Sequence, residues 1–239
     1  MVQGIDTKGK GAGDKPIQKA KSDVVFCIDV SDSMVPCIDG VKDNIKEFVE
    51  RIESDPKLNI DVRLGFLGHT SDHSTINFYI KDFTQDTEEF KRALTGLTNE
   101  NSEANLPALD WSLDFPWQRE AHKFVILFTD EPVEGGWDPS ASRAKMEELK
   151  KKIKDLGASV YLATFHGPEF SEYPSIASTD RCEHIPISGY DEFKGAHFPA
   201  LMNKLAMKVS TGSRQVVNVQ KPVEKDIYKV RSIASVIKK

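Results

Sequence analysis

Two kinds of hydrophobic pattern alternate along the chain. Short continuous apolar runs, such as Val24 to Ile28 and Phe124 to Phe128, mark strands covered on both faces, as in a parallel sheet. Between such runs lie segments whose apolar residues recur every three or four positions. Ile38, Val41, Ile45, Phe48, Val49 and Ile52 put one core face on a helix over about 38–53, which Asp55-Pro56 closes. The same reading predicts strands at 23–29, 60–68, 75–83, 122–129, 159–165 and 183–187. It predicts further helices from a Thr84 or Asp86 cap to about Leu94, at 104–114, at 140–155 with Gly157 at the C′ position, and at 191–209.

The third strand differs from the others. Ile76, Phe78 and Ile80 alternate with polar residues, which suits an edge strand with one face near solvent. The link Gly68 to Ser74 is too short for the crossover of about a dozen residues that a parallel connection needs, so this strand should run antiparallel to the second. Alternating strands and helices then predict an α/β fold with a mostly parallel sheet and helices on both faces.

A length of 239 residues allows one domain with tails. We place a flexible leader at 1–21, where Gly4, Gly9, Gly11 and Gly13 interleave with lysines, a folded body at 22–210, and an extension at 211–239. In the extension, Gln215 to Val219 has strand character, and Ile227, Val230, Ile233 and Ile237 form a helical stripe. Charge separates the same three parts. Five lysines against two aspartates give +3 for 1–22, seven basic residues against two acids give +5 for 211–239, and −13 is left for 23–210 out of a total of −5. The basic ends are either merely solvated or dock on the acidic body, a partner or a polyanion; the apolar stripe either packs locally or serves as an oligomer-forming arm. Nucleic acid binding has no support beyond that charge.

Apolar content of 39% and charged content of 29% are those of a soluble globular protein. No apolar run approaches the roughly 18 residues of a membrane span, and Met1 to Lys21 holds no signal-like apolar core. Three cysteines without metal-ligand spacing fit a reducing compartment. These features predict a cytoplasmic protein that does not enter a membrane.

The candidate chemistry follows the first strand directly, in Asp29-Val30-Ser31-Asp32-Ser33. In an open α/β sheet ligands sit outside the carboxyl ends of the strands, so one carboxylate and two hydroxyls arrive together at that edge. Ser and Asp there would also serve as an ordinary turn and N-cap. A second acid favours the metal reading: the central strand ends in Thr129-Asp130 at an equivalent place. Oxygen-only donors suit a hard divalent cation, Mg²⁺ first, with Mn²⁺ or Ca²⁺ also compatible. His69 and His166 end strands near the same edge, either hydrogen-bonded there or lining the crevice and tuning binding near pH 6.5. Trp117 and Trp137 are read as flanking the site loops, as interface anchors or, for Trp117 equally, as core.

Asp-x-Ser-x-Ser after strand one, an antiparallel edge strand three and Thr-Asp after strand four resemble the von Willebrand factor type A (vWA) domain with its metal-ion-dependent adhesion site, over about 22–210. Asp23 to Glu50 and Phe115 to Asp130 look most like intracellular and bacterial members, including those associated with atypical alpha-type kinases. The resemblance implies a Rossmann-like three-layer sandwich with strand order 3-2-1-4-5-6. It also implies a divalent ion bound directly by Ser31 and Ser33, with Asp29 and Asp130 bound directly or through water. A partner's acidic side chain would complete the shell. Two departures qualify this. Asp32 and Glu131 stand where many relatives have glycine, and the third loop offers Glu100, Asn101, Ser102, Glu103 and Asn105 where relatives supply Thr or Asp. Counting back from Ala108-Leu109 makes Glu103 the third-loop ligand, whereas aligning on Phe115-Pro116-Trp117 favours Glu100.

The leading functional reading is a non-enzymatic cytoplasmic interaction module, an adaptor or subunit of a larger complex, with an ATPase or kinase as partner by family analogy. A self-assembling scaffold using the basic ends is the alternative. A metal-dependent phosphohydrolase is disfavoured, since residue 31 is Ser rather than a second Asp and no phosphate loop or nucleophile elbow is present.

Overall fold

The computed structural model describes residues 18–72, 75–95, 97, 104–133, 139–193 and 195–217. Six strands form one sheet: β1 (Gln18–Asp29), β2 (Leu58–Asp72), β3 (Thr75–Thr84), β4 (Ala121–Thr129), β5 (Ser159–Phe165) and β6 (Cys182–Ile187), ordered β3-β2-β1-β4-β5-β6. All neighbours pair in parallel except β2 and β3, which are antiparallel as the short link demands. The helices are α1 (Val35–Glu53), α2 (Thr87–Ala93), α3 (Asn105–Ser112), α4 (Pro139–Leu156), α5 (Glu172–Ala177) and α6 (His197–Val217).

The continuous apolar runs are explained by two cores, one on each face of the sheet. Val24, Phe26 and Ile28 of β1 face the α1 and α6 side with Val41, Ile45, Phe48, Leu205 and Val209. Val25 and Cys27 face the other side with Leu106 and Leu109 of α3, Leu149 and Ile153 of α4, and Tyr173 and Ile176 of α5. Phe26 anchors the first core, its ring 5.3 Å from Phe48 and 5.5 Å from Phe90 in edge contacts. Helix α1 crosses α6 closely because residue 40 is glycine: a Cβ there would lie 2.7–2.9 Å from the ring of buried Phe198.

Local capping follows the sequence. Asp86 accepts from the Glu88 and Glu89 N–H groups at 2.8 and 3.1 Å and starts α2. Gly157 takes a φ of +66° after α4, as its C′ position requires. At the amino edge of the sheet buried Asp23 accepts from Arg63 Nε (2.8 Å) and Nη2 (2.7 Å) and from the Gln118 N–H (2.7 Å).

Several elements depart from the sequence reading: the helix expected at 191–209 starts only at His197, after the 3-10 turn Tyr190–Phe193, β2 runs on to Asp72, and α5 has no counterpart among the predicted helices. β1 begins at Gln18 because Gln18 to Lys21 pair in register with Leu58 to Asp61, so ladder bonds carry the strand beyond its apolar run. Gln215 to Val217, read as the opening of a strand, are the last turn of α6. Helix α6 is docked just before them, where Asp55 accepts from Ser210 Oγ and from Arg214 Nε at 2.6 Å, and this tertiary anchor overrides the β-propensity of two valines. Residues 218–239, with the apolar stripe, and residues 1–17 lie outside the described residues. Among the described residues no helix is long and apolar enough to cross a membrane.

Gly40→Ala should lower the unfolding free energy by about 1–3 kcal/mol, the usual range for overpacking a filled interior. A denaturant titration would show the midpoint falling, and an unchanged midpoint would contradict the close crossing.

Candidate metal centre

β1 delivers Asp29 to the carboxyl edge of the sheet, and the pairing with β2 continues one step further, the Val30 N–H donating to His69 O at 3.1 Å. The chain then turns through a 3-10 segment, Asp32–Met34, into α1. Ser31 occupies the N-cap of that turn, yet its side chain makes no capping hydrogen bond. Its hydroxyl lies instead 3.1 Å from that of Ser33. The turn is therefore closed by backbone, through Met34 N–H to Ser31 O at 3.0 Å, and the two hydroxyls contact each other, the Asp29 carboxylate and the Tyr190 hydroxyl.

Asp29 is fully buried. Its Oδ1 accepts from the Ser31 N–H at 2.8 Å and its Oδ2 from Thr129 Oγ1 of β4 at 3.1 Å, so the carboxylate is aimed from two strands. Burial pushes its pKa up to about 6, opposed by the hydrogen bonds from Ser31 and Thr129 and reinforced by the charge of Asp130. Asp130 is only 4% exposed, and neither of its oxygens has a hydrogen-bond partner among the described residues. The Tyr190 hydroxyl, on the 3-10 turn Tyr190–Phe193 after β6, approaches Asp130 and Ser33 without completing a well-formed bond to that carboxylate. Burial, then Asp130, push this phenol up to about 12.

The structure thus brings Asp29, Ser31, Ser33 and Asp130 to one edge, and adds Thr129 and Tyr190. Among the described residues neither aspartate enters a salt bridge, in contrast to Asp23 at the other end of the same strand. No grouping of three or more His, Cys, Asp or Glu among the described residues could hold a metal. The donors here are instead two carboxylates and two hydroxyls. A buried carboxylate with no donor or cation is costly, and oxygen donors suit a hard divalent ion, so the donor set fits such an ion. Glu103, its alternative Glu100, and Trp137 lie outside the described residues. Asn105, at the start of α3, is described; its Nδ2 donates to Pro132 O at 3.4 Å while its buried Oδ1 has no partner among the described residues.

Three sequence readings are refined. His166 Nδ1 lies 3.2 Å from Ile187 O, the hydrogen-bonded strand end. His69 is neither hydrogen-bonded nor open to a crevice: it is fully buried, both ring nitrogens lack partners among the described residues, and burial holds its pKa down at about 3. It therefore cannot tune binding near pH 6.5. Trp117 precedes β4 and so sits toward the opposite edge, its Nε1 donating to Leu113 O at 3.1 Å and its ring 5.2 Å from Phe83. It is a packing residue. Tyr190 escaped the sequence reading, and its only signal was an aromatic residue just past the last strand.

The von Willebrand factor type A domain family matches residues 23–193. The chain belongs to that family. Among solved structures, this vWA chain is similar to the D319A mutant of the PilB minor pilin from Streptococcus sanguinis, at 10% identity and a TM-score of 0.57, covering 89% of this chain and 65% of that one. It is also similar to proximal thread matrix protein 1 from the mussel byssus in a form with a zinc-occupied MIDAS motif, at 16% identity and a TM-score of 0.55, covering 81% of this chain and 48% of that one. A second crystal form of the mussel protein gives 15% identity and a TM-score of 0.56, with 81% and 49% coverage. The vWA chain thus spans about half to two thirds of the length of these chains, and likeness at this identity establishes the fold. No curated protein matches the chain.

The His69 ring makes a pH prediction. A histidine held at about 3 in the folded protein and near 6.5 when unfolded contributes stability that is present above pH 6.5 and is lost as pH falls toward 3. His69→Leu removes this loss, so the stability difference between variant and wild type should widen in the variant's favour below pH 6.5, by up to about 1.4 kcal/mol per pH unit. Unfolding curves at pH 7.5, 6 and 5 check it; a constant difference would mean that His69 protonates freely in the fold.

Proposed function

We propose that this vWA chain is a protein-interaction module whose sheet edge carries a divalent cation, and that it works as an adaptor or subunit of a larger complex. vWA domains generally mediate protein–protein interaction and are typically not enzymes. The observation that carries the finer reading is Asp130: a buried carboxylate with neither oxygen partnered among the described residues, beside a second buried acid, Asp29. Ser31, Ser33 and Asp130 would hold the ion directly, and Asp29 directly or through water. A bound cation would neutralise these carboxylates and offer a coordination position to an acidic side chain of a partner.

The chain's own residues prepare that position. Ser31 N–H and Thr129 Oγ1 fix the Asp29 carboxylate from two sides, and the Ser31 and Ser33 hydroxyls face each other across the turn. Mg²⁺ agrees best with an all-oxygen donor set. A zinc-occupied MIDAS in the mussel thread protein supports a divalent ion at this edge of the fold in that protein. Three free cysteines, two of them buried, support a cytoplasmic setting. An ATPase or kinase as partner rests on family analogy alone.

Titrating the chelator-treated protein with Mg²⁺ or Mn²⁺ tests the reading. Wild type should bind, and an ion at a hundredfold its Kd should add about 2.7 kcal/mol to unfolding stability. Asp130→Asn should lose both the heat of binding and the added stability. Equal responses from wild type and variant would overturn the assignment.

A further inference from the structure

Four large apolar side chains stand exposed among the described residues, and two of them flank the site: Val35 at 39% and Tyr190 at 43%. Val35 opens α1 two residues after Ser33, and the 3-10 turn that bears Tyr190 packs against α1. Both residues thus lie close to Ser33, Val35 along the chain and Tyr190 through its hydroxyl. The Tyr190 ring is not loosely held. It stands edge-on to Phe165 at 5.0 Å, and Phe193 of the same turn is buried and stacked on Phe165 at 6.0 Å. The turn is closed by the Glu192 N–H to Gly189 O at 3.0 Å and by the Ser188 N–H to Glu192 Oε1 at 2.8 Å.

The hydroxyl is thereby carried to Ser33 and Asp130, two of the donors assigned to the ion. A tyrosine hydroxyl is protonated at neutral pH, so toward a negative ligand it acts as a donor. A hydrogen bond to a carboxylate is stronger than a neutral one and is directional. An aromatic ring that is apolar along its body and polar at its tip is the side chain most often found anchoring protein interfaces. The rim around it is acidic, with exposed Asp32 and Asp191, and this disfavours a ligand of many charges. A single carboxylate with apolar neighbours matches the donor and the apolar flank, and carries the least negative charge into the acidic rim.

We propose that Tyr190 and Val35 set the specificity of this edge: the ligand is an acidic side chain of a protein partner with an apolar residue next to it, the carboxylate accepting from the Tyr190 hydroxyl and the apolar neighbour covering Val35 and the Tyr190 ring. This inference rests on the cation reading above and refines it.

The probes are three capped hexapeptides, Ser-Ser-Leu-Glu-Leu-Ser, Ser-Ser-Ser-Glu-Ser-Ser and Ser-Ser-Leu-Gln-Leu-Ser, titrated by NMR into wild type, Tyr190→Phe and Val35→Ser. Each protein is first titrated with Mn²⁺ by paramagnetic relaxation, then with peptide at saturating Mg²⁺. Wild type should prefer Leu-Glu-Leu over Ser-Glu-Ser by several-fold and bind Leu-Gln-Leu weakest. Tyr190→Phe should weaken both Glu peptides alike, by roughly tenfold for one charge-assisted hydrogen bond. Val35→Ser should shrink the preference for leucine and leave Ser-Glu-Ser unaffected. If the Glu peptides bind only with the ion but ignore both leucine and Tyr190, the specificity assignment is overturned and the cation reading stands. If Mn²⁺ does not bind to wild type, both are overturned.

Discussion

A strand covered on both faces can carry polar chemistry only at its ends. β1 is such a strand, with β2 and β4 on its edges and helices on either side, and it bears one aspartate near each end of its buried stretch. The fold treats the two acids differently. Asp23 is neutralised inside the protein by the two-pronged grip of Arg63 and by a backbone donor from Gln118. Asp29 receives only neutral donors and faces a second acid, Asp130. Charge at the amino edge is settled within the chain, whereas at the carboxyl edge no cation of the described residues pairs with Asp29 or Asp130, as the proposed ion site requires.

This asymmetry separates what holds the domain together from what the domain can do. Arg63 also lies over the ring of Phe83, 4.5 Å from its centroid, and so joins β2 to the aromatic group of Phe83, Phe115 and Trp117 beneath that end. Among the described residues, buried polar atoms without partners occur at His122 near the amino edge and, at the carboxyl edge, at His69, Asn105 and Asp130. Natural interiors leave few such atoms unsatisfied, and those at the carboxyl edge accord with the proposed ion site.

Much of this architecture was legible in the order of residues. Runs such as Val24 to Ile28 and the three-four spacing of α1 are direct images of two-sided and one-sided burial, and the short Gly68–Ser74 link fixed the direction of β3 by reach alone. Strand order was not contained in periodicity and came through resemblance to a family. What remained hidden depends on contacts far apart in sequence. No local signal says that Val216 and Val217 prolong a helix pinned to Asp55, that the His69 ring finds no donor or acceptor, or that Trp117 lies toward the far edge from Asp130. Tyr190 meets Ser33 and Asp130 only because β1, β4 and β6 all end at the same edge of the sheet. The residue type alone, one tyrosine after a glycine, does not show this.

The bond from Val30 N–H to His69 O has a further effect. It extends the β1–β2 ladder past Asp29, so the first donor of the edge belongs to the sheet rather than to a loop hung from it. Ser31 and Ser33 follow within one turn that leads into a nineteen-residue helix locked against α6 at Gly40. The conformational entropy of this segment is lost when the chain folds, not when a ligand docks. A ligand at the proposed edge would therefore meet Asp29, Ser31 and Ser33 already ordered, and its binding would not have to supply the ordering of this segment.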